Sequence, residues 1–589
     1  MRRYVRPAAS VSRVAAHDGC VAGHDGTAWL RLRQKRPRRR ARGPRHYSTD
    51  AQPAGVADRT PVIGRAYAAD DKAGNGNRAM EIQVFGVLVV LFGMLTLNMS
   101  YQWSIYALIT FALFPAAAAI NLSAIGVGFP PMTLFLAFFA LRAFNLGGGE
   151  TLMKPLRSGR PGFWFACLCV WVIIGAILLP RALAGSTYVF AMDRSALDPN
   201  APGLRPLGPV SGNLTQSMYY TAELVLYCCT AVFVTRKGCF GHIAKAFMLG
   251  TAIDVLAAVV EIASHAVNVD VLHFVKTANY AMLDGSELGG LMRITGTFPE
   301  SSSYSACTVP LFAFTASLWL LGYKTRINAL LALGSGLMLM LSTSATAYVG
   351  FAGYLAVLLL SRTEKVAPRS RARKLRLCVV MASFGVMAAI YAVLFRPDVI
   401  DALGDFFQAT ILNKANSSSG VERSNFNTQA LQNFVDTFGL GVGMGTVRAS
   451  SFIVVLAANL GVLGIAGFGV FLWQSLYAPI PRDCPLDDRV ICYACRQGML
   501  ATLVVTSVSS SSCDPGPFFF MFAAASVGLP IVARRRAAAA RHAAGPLAQA
   551  GGLIAQQPGA APALPGERQP SRVPAWPRSW RDVAGEGQQ

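Results

Sequence analysis

Two polar segments rich in arginine and serine interrupt an otherwise lipid-like chain, and they hold the residues best suited to chemistry. The first reads Arg293-Ile-Thr-Gly-Thr-Phe-Pro-Glu300 and runs on into serines. Arg293 offers a planar fork of donors that matches phosphate oxygens, and Glu300 is able to take a proton from a hydroxyl. The second spans Asn416 to Phe452, with Arg423 after a Ser/Gly stretch, then Arg448 and Ser450 after Gly439-Leu-Gly-Val-Gly-Met-Gly445. Gly441, Gly443 and Gly445 let backbone N–H groups approach an anion closely, or simply form a tight turn. No strand precedes them, which argues against a dinucleotide fingerprint. Plainer roles stand beside these: Arg293 and Arg448 as interfacial anchors, Glu300 as a charge favoured at a helix N-terminus. Charged groups beside a bilayer are costly, so their presence in two such loops marks where function is to be sought.

The elements that must position these loops follow from bulk composition. Of 589 residues, 53% are hydrophobic and 14% charged, against roughly 25% charged in an ordinary soluble domain; mean hydropathy is +0.42. An all-α polytopic membrane protein is the expected fold class, since a span takes roughly 20 apolar residues. About thirteen candidate spans fall near 82–98, 103–121, 124–144, 162–184, 217–235, 243–267, 304–322, 326–342, 344–361, 377–396, 452–476, 491–509 and 516–533, a reading that rests on hydropathy windows. Three regions result: a basic extension over 1–79, a membrane domain over 80–533 with long loops at 268–303 and 397–451, and an Ala/Pro/Gly-rich tail over 534–589. Both ends lack apolar periodicity and read as disordered.

Charge distribution assigns the loops to sides. Net charge is +23, of which residues 1–79 supply 17 basic against 6 acidic groups, or +11; the distribution does not suggest a nucleic-acid partner. Basic residues recur at every second connection: Lys154, Arg157 and Arg160; Arg236, Lys237 and Lys245; Lys324 and Arg326; seven between Arg362 and Leu377; and Arg534 to Arg536. Positive-inside logic makes these cytoplasmic and both arginine segments external. Thirteen spans would then put residue 80 outside, which suits a short tail and not a +11 head. Met80 therefore reads as the expected start, unless the first two apolar stretches are not separate spans.

The remaining chemical groups have plainer roles. Of twelve cysteines, most lie within spans, Cys513 lies in an outer connection, and Cys492-Tyr-Ala-Cys495 reads as two buried thiols, because no partnering Cys or His pair accompanies it. Asp483, Asp487 and Asp488 accompany Arg482 and Arg489 and read as a solvated turn; no metal or other cofactor is expected. Asp254, Glu261 and His265 share one helical face and Glu223 lies in the preceding span, which would suit a proton relay in a sugar or polysaccharide transporter.

The motif R-x-x-G-x-F-P-E-x-S before one span, followed by S-G-x-x-R-S, G-x-G-x-G, R-A-S-S and A-N-L-G-V-L-G, resembles the bacterial O-antigen polymerase and O-antigen ligase membrane superfamily. The likeness covers about 80–476 in layout and 291–304 and 420–464 in sharp motifs. It implies a helical bundle of the polytopic glycosyltransferase type in the bacterial inner membrane, using undecaprenyl-diphosphate-linked glycans at the periplasmic face. By the same resemblance Arg293 and Arg423 hold the donor diphosphate, Glu300 is the acidic residue of polymerase-like members, and Arg448 and Ser450 fall where ligases show a His-Asn pair. Here no histidine lies between 274 and 541, which favours a polymerase of O-antigen or exopolysaccharide over ligase-type transfer to a lipid or protein. The implied reaction is inverting and metal-independent, with a flippase or chain-length regulator as possible protein partners.

Overall fold

Every one of the thirteen apolar stretches contains a helix in the computed structural model, and a fourteenth helix lies in the second arginine segment. The structure describes residues 81–533 except 123–126, 193–202, 237, 268, 279–281, 283–286, 289–290, 396–403, 405–407, 409–416 and 481–482; the basic extension and the C-terminal tail lie outside the described residues. All described residues belong to one unit, Ala69–Gln589. Before the first long polar connection come α1 (Val84–Asn98), α2 (Tyr101–Ala112), α3 (Pro131–Met153), α4 (Pro161–Ala182), α5 (Ser211–Thr235) and α6 (Phe240–Ala266). Then follow α7 (Ser301–Leu321), α8 (Thr325–Leu341), α9 (Ala345–Leu360) and α10 (Ser370–Phe395). The rest are α11 (Ser418–Asp436), α12 (Phe452–Tyr477), α13 (Leu486–Val508) and α14 (Pro517–Ala533). Seven of them are long and apolar enough to cross a bilayer, and the chain is an all-α polytopic membrane protein.

The sequence boundaries fail most at the second and third stretches. α2 stops after 12 residues, too short to span by itself at roughly 1.5 Å per residue. Pro115 and the Ala116–Ala119 run lead out of it into a small antiparallel sheet of β1 (Glu81–Ile82), β2 (Ile120–Leu122) and β3 (Val127–Phe129), with Glu81 opposite Asn121 and Ile120 opposite Phe129. Pro130 and Pro131 then set the start of α3, where proline's fixed φ suits the first turn. Gly86 meets this connection so closely that a Cβ would stand 2.1 Å from the Ala119 carbonyl oxygen. The start of α1 thus lies at the same end of the bundle as the two arginine segments. A second hairpin, β4 (Tyr188–Phe190) with β5 (Leu204–Pro206), covers that end after α4.

α7 and α14 form the centre. Nearly all of α7 is buried, and Phe518 to Ala525 of α14 are buried without a break. Phe520 stacks on Phe165 of α4 with ring centroids 4.5 Å apart, and Phe522 stacks on Phe247 of α6 at 4.3 Å. In lipid, helices associate through close packing rather than apolar transfer, so small residues mark the seams. Gly350 of α9 faces Val505 of α13, and Gly498 of α13 faces the ring of Phe522.

The basic connections collect at the opposite end, tied to carbonyls near helix ends and beside the break of α3 at Gly148. Arg236 Nη1 donates to Leu146 O at 3.2 Å, Arg373 Nη1 to Leu320 O at 3.2 Å and Lys374 Nζ to Ser361 O at 2.6 Å.

Candidate functional site

The first arginine segment is held by a buried carboxylate of α6. Glu261 accepts the Thr295 N–H at 2.8 Å, the Gly296 N–H at 2.7 Å and the Thr295 hydroxyl, and pairs with Lys276 at 3.5 Å. Gly296 adopts φ +57°, and a Cβ there would stand 3.3 Å from the Tyr304 ring, so the turn needs glycine on both counts. Thr297 is tied to the end of α2, its hydroxyl donating to Leu113 O and its carbonyl accepting from Ala116 N. Glu300 becomes the N-cap residue of α7, and its Oε1 accepts the hydroxyls of Ser302 and Ser303. Arg293 is partly buried, and its Nε has no hydrogen-bond partner among the described residues. Burial first, and then Arg423, works against the Arg293 charge, while Glu300 favours it; the net effect is a pKa below the ordinary arginine value.

The second segment is a helix followed by a glycine turn, where the sequence reading had a loop. Ser417 caps α11 by accepting the Gly420 N–H at 3.2 Å. Phe426, Ala430, Asn433 and Thr437 form its buried stripe, at the i, i+4, i+7, i+11 spacing of one helical face, and Arg423 projects near the N-terminal turn. The chain then reverses through left-handed residues at Phe438, Gly439, Gly441, Gly443 and Gly445. A Cβ on Gly441 would meet Asn459 O at 2.7 Å, one on Gly443 would meet Gly175 O at 2.6 Å, and one on Gly445 would meet Gly212 O at 2.2 Å. These three glycines are packing positions against α12, α4 and α5, outside the lining of the cavity described next.

Two asparagines clamp this turn. Asn459 of α12 accepts the N–H groups of Thr446 and Val447 at 3.1 and 3.2 Å and donates to Val447 O at 3.0 Å. Asn213 of α5 donates to Met444 O and to the Thr446 hydroxyl, each at 2.7 Å. The turn then delivers Arg448, whose N–H reaches Phe190 O at 3.0 Å and whose guanidinium lies over the Phe426 ring at 5.0 Å. Ser450 is fixed by Asn427 of α11, which accepts its N–H at 2.7 Å.

These segments close round one cavity of about 600 Å³, lined by Glu300, Arg423, Arg448 and Ser450. Arg293 stands behind the lining, within electrostatic reach of Glu300 and Arg423. The same lining holds Glu223 of α5, which the sequence offered only for a transporter's proton relay, and the serines Ser509–Ser512 and Asp514, which it did not assign to a site. Glu223 is 6% exposed, and its Oε2 has no hydrogen-bond partner among the described residues. Asp514 lines the cavity, is partly buried and accepts the Gly516 N–H at 2.8 Å, and loss of solvent pushes its pKa up to about 6. One signal for this wall was legible, the run Ser509-Ser-Ser-Ser-Cys-Asp514 between two apolar stretches. Nothing local distinguishes Glu223 from any other isolated carboxylate in a span.

The groups on the acidic face of α6 have separate surroundings. Glu261 is committed to the first arginine segment, Asp254 Oδ2 accepts the Thr308 hydroxyl at 2.9 Å, and His265 is exposed. The eleven described cysteines are free; Cys492 and Cys495 are buried, and so is Cys513, whose Sγ donates to Val455 O. Asp487 and Asp488 open α13, where the helix dipole favours negative charge. No protein-family model and no curated protein matches the chain.

Proposed function

We propose that this chain is a membrane glycan polymerase, an inverting transferase that moves an undecaprenyl-diphosphate-linked oligosaccharide onto a growing polysaccharide at the outer face of a bacterial inner membrane. One observation carries the reading: Arg423 and Arg448 line a single cavity that also bears hydroxyls and carboxylates, and Arg293, from the other arginine segment, stands behind the lining within electrostatic reach of Arg423. Cationic groups gathered at a half-buried site repel one another and are stabilised by a bound polyanion. A lipid diphosphate supplies one, and it gains charge as the glycosidic bond breaks, which is where arginines lower the barrier. Apolar wall residues such as Phe111, Met132 and Phe298 suit a polyprenyl chain, while the serines suit sugar hydroxyls. Glu300, the N-cap residue of α7, lines the cavity within electrostatic reach of Arg293.

The test is direct. Purified protein in detergent or nanodiscs receives the undecaprenyl-diphosphate-linked oligosaccharide of its own cell, and products are resolved by length. A ladder of multimers supports the polymerase. Transfer of one intact chain to another acceptor makes the protein a ligase instead, and no transfer with any acceptor rejects the reading. The transporter alternative has less support, because Glu261, central to its relay, is bound by four contacts that hold the site in place.

A further inference from the structure

The cavity carries both signs of charge. Arg423 and Arg448 come from α11 and from the turn after it, whereas Glu223 and Asp514 come from α5 and from the connection between α13 and α14, which meets the second arginine segment where the Ser510 N–H donates to Ser450 O at 3.3 Å. Glu223 lies 12 residues into α5, or about 18 Å along the helix from its start, so this carboxylate sits well inside the bundle. A buried carboxylate oxygen without a donor is costly in a folded protein. The pair is held in a rigid frame: Asp514 is bonded through its N–H to Ser512 Oγ at 3.2 Å, and Ser512 Oγ donates to Gln216 Oε1, two turns before Glu223, at 2.8 Å. That frame ties the loop to α5 beside Glu223, which lines the cavity while its Oε2 is buried without a hydrogen-bond partner among the described residues. Glu300, in contrast, already accepts two serine hydroxyls.

Building on the glycan-transfer reading, we propose that Glu223 and Asp514 form the acceptor subsite, binding the attacking sugar hydroxyl and taking its proton. The hydroxyl oxygen forms the new bond to C1 of the donor sugar, the C1–O bond to the diphosphate breaks, and its electron pair leaves with the lipid diphosphate at the arginines. The hydroxyl proton passes to the carboxylate pair and from there to solvent. Two adjacent carboxylates share one proton more readily than either holds it alone. Tyr219 and Tyr220 of α5, Cys307 of α7 and Cys513 of the same connection surround the pair, and Glu422, Arg423 and Arg448 line the same cavity. Tyr219 donates to Gly128 O at 2.7 Å.

The experiment compares wild type with Glu223→Gln, Asp514→Asn and Glu300→Gln in two assays: chain elongation across pH, and binding of undecaprenyl diphosphate alone. Glu223→Gln and Asp514→Asn are expected to bind undecaprenyl diphosphate as wild type does while kcat falls by about 100-fold or more, and Glu300→Gln is expected to fall by less than about tenfold. The acid limb of the wild-type kcat profile is expected to disappear in Asp514→Asn. Formate is expected to restore part of the rate to Glu223→Ala, which a purely structural carboxylate would not show. Retained binding reports an intact fold, and Asp514→Asn with Glu223→Asp carries the test if Glu223→Gln does not accumulate. Full elongation by both amide variants overturns the proposal and leaves the glycan-transfer reading standing, with Glu300 as the proton acceptor. Loss of undecaprenyl diphosphate binding overturns it too, since the pair would then serve the donor. A wild-type protein that elongates nothing ends both.

Discussion

At the scale of single residues, the site pairs guanidinium groups with carboxylates whose environments differ. Arg293 and Arg423 are expected to need their forks rather than their charge alone. Lysine at either position should therefore leave elongation at least about tenfold below wild type, because an ammonium cannot make the bidentate contact to a phosphate; equal rates in the lysine variants, at equal membrane abundance, would remove the arginines from the donor site. Asp514 makes a separate prediction about stability. Burial raises its carboxyl from 3.8 to about 6 in the folded protein, so the folded state holds this proton more tightly than the unfolded chain does. Its contribution is therefore full below about pH 4 and is lost as pH rises through about 6. Thermal unfolding in detergent should show wild type losing Tm relative to Asp514→Asn over that window, and parallel curves would contradict the assignment.

At the scale of elements, the chemistry depends on contacts made by residues that never reach the cavity. Glu261 is the clearest. Removing one partner of a buried ion pair leaves the other uncompensated, typically at 3–5 kcal/mol, and here the carboxylate also satisfies two backbone N–H groups. Glu261→Ala is thus expected to lower stability by about 3 kcal/mol or more and to release the Arg293 segment, read as increased proteolytic cleavage or hydrogen exchange at 291–300. A variant with wild-type stability and protection would show that the segment is held by other means. Gly461 is the matching case in α12. The helix breaks there at φ +63°, and a Cβ would stand 2.3 Å from both Gly439 O and Leu440 O; the Leu460 carbonyl freed by the break accepts Trp171 Nε1 at 2.9 Å. Gly461→Ala should cost on the order of 3 kcal/mol through strain and clash, and an unchanged unfolding temperature would refute the close approach.

At the scale of the whole molecule, the antiparallel helices give the bundle two chemically distinct ends. Residues near 365 cluster with the basic connections, whereas residue 430 of α11 and the β1 strand at Glu81 lie at the end that holds the cavity. Single cysteines at 82, 365 and 431, probed with a membrane-impermeant thiol reagent in a background lacking native cysteines, should label 82 and the exposed position 431 from one side and 365 from the other. Labelling of 365 and 431 from the same side would refute the architecture. Placing Glu81 beside Asn121 also resolves the parity of the first two helices: α1 and α2 make a hairpin that returns to the end where it began.

The sequence by itself determined the class of the protein and the place of its thirteen apolar helices, because bilayer thickness and the need to satisfy every backbone group in lipid leave few alternatives to a long apolar helix. Glu300, Arg423, Arg448 and Ser450 were legible as candidates for the same reason, being charged or polar groups in segments where lipid selects against them. The amphipathic stripe of α11 was also present in the spacing of Phe426, Ala430 and Asn433, although the polar composition around it reads as a loop. Only the tertiary structure decided which of these groups meet. It withdrew Gly441, Gly443 and Gly445 from the cavity lining, because backbone carbonyls of three helices occupy the space beside them, and it brought in Glu223 and Asp514, 291 residues apart by their numbering. Such a pairing depends on how α5 and the start of α14 pack, and helix packing is decided by the shapes of side chains on many elements at once, which no single segment encodes.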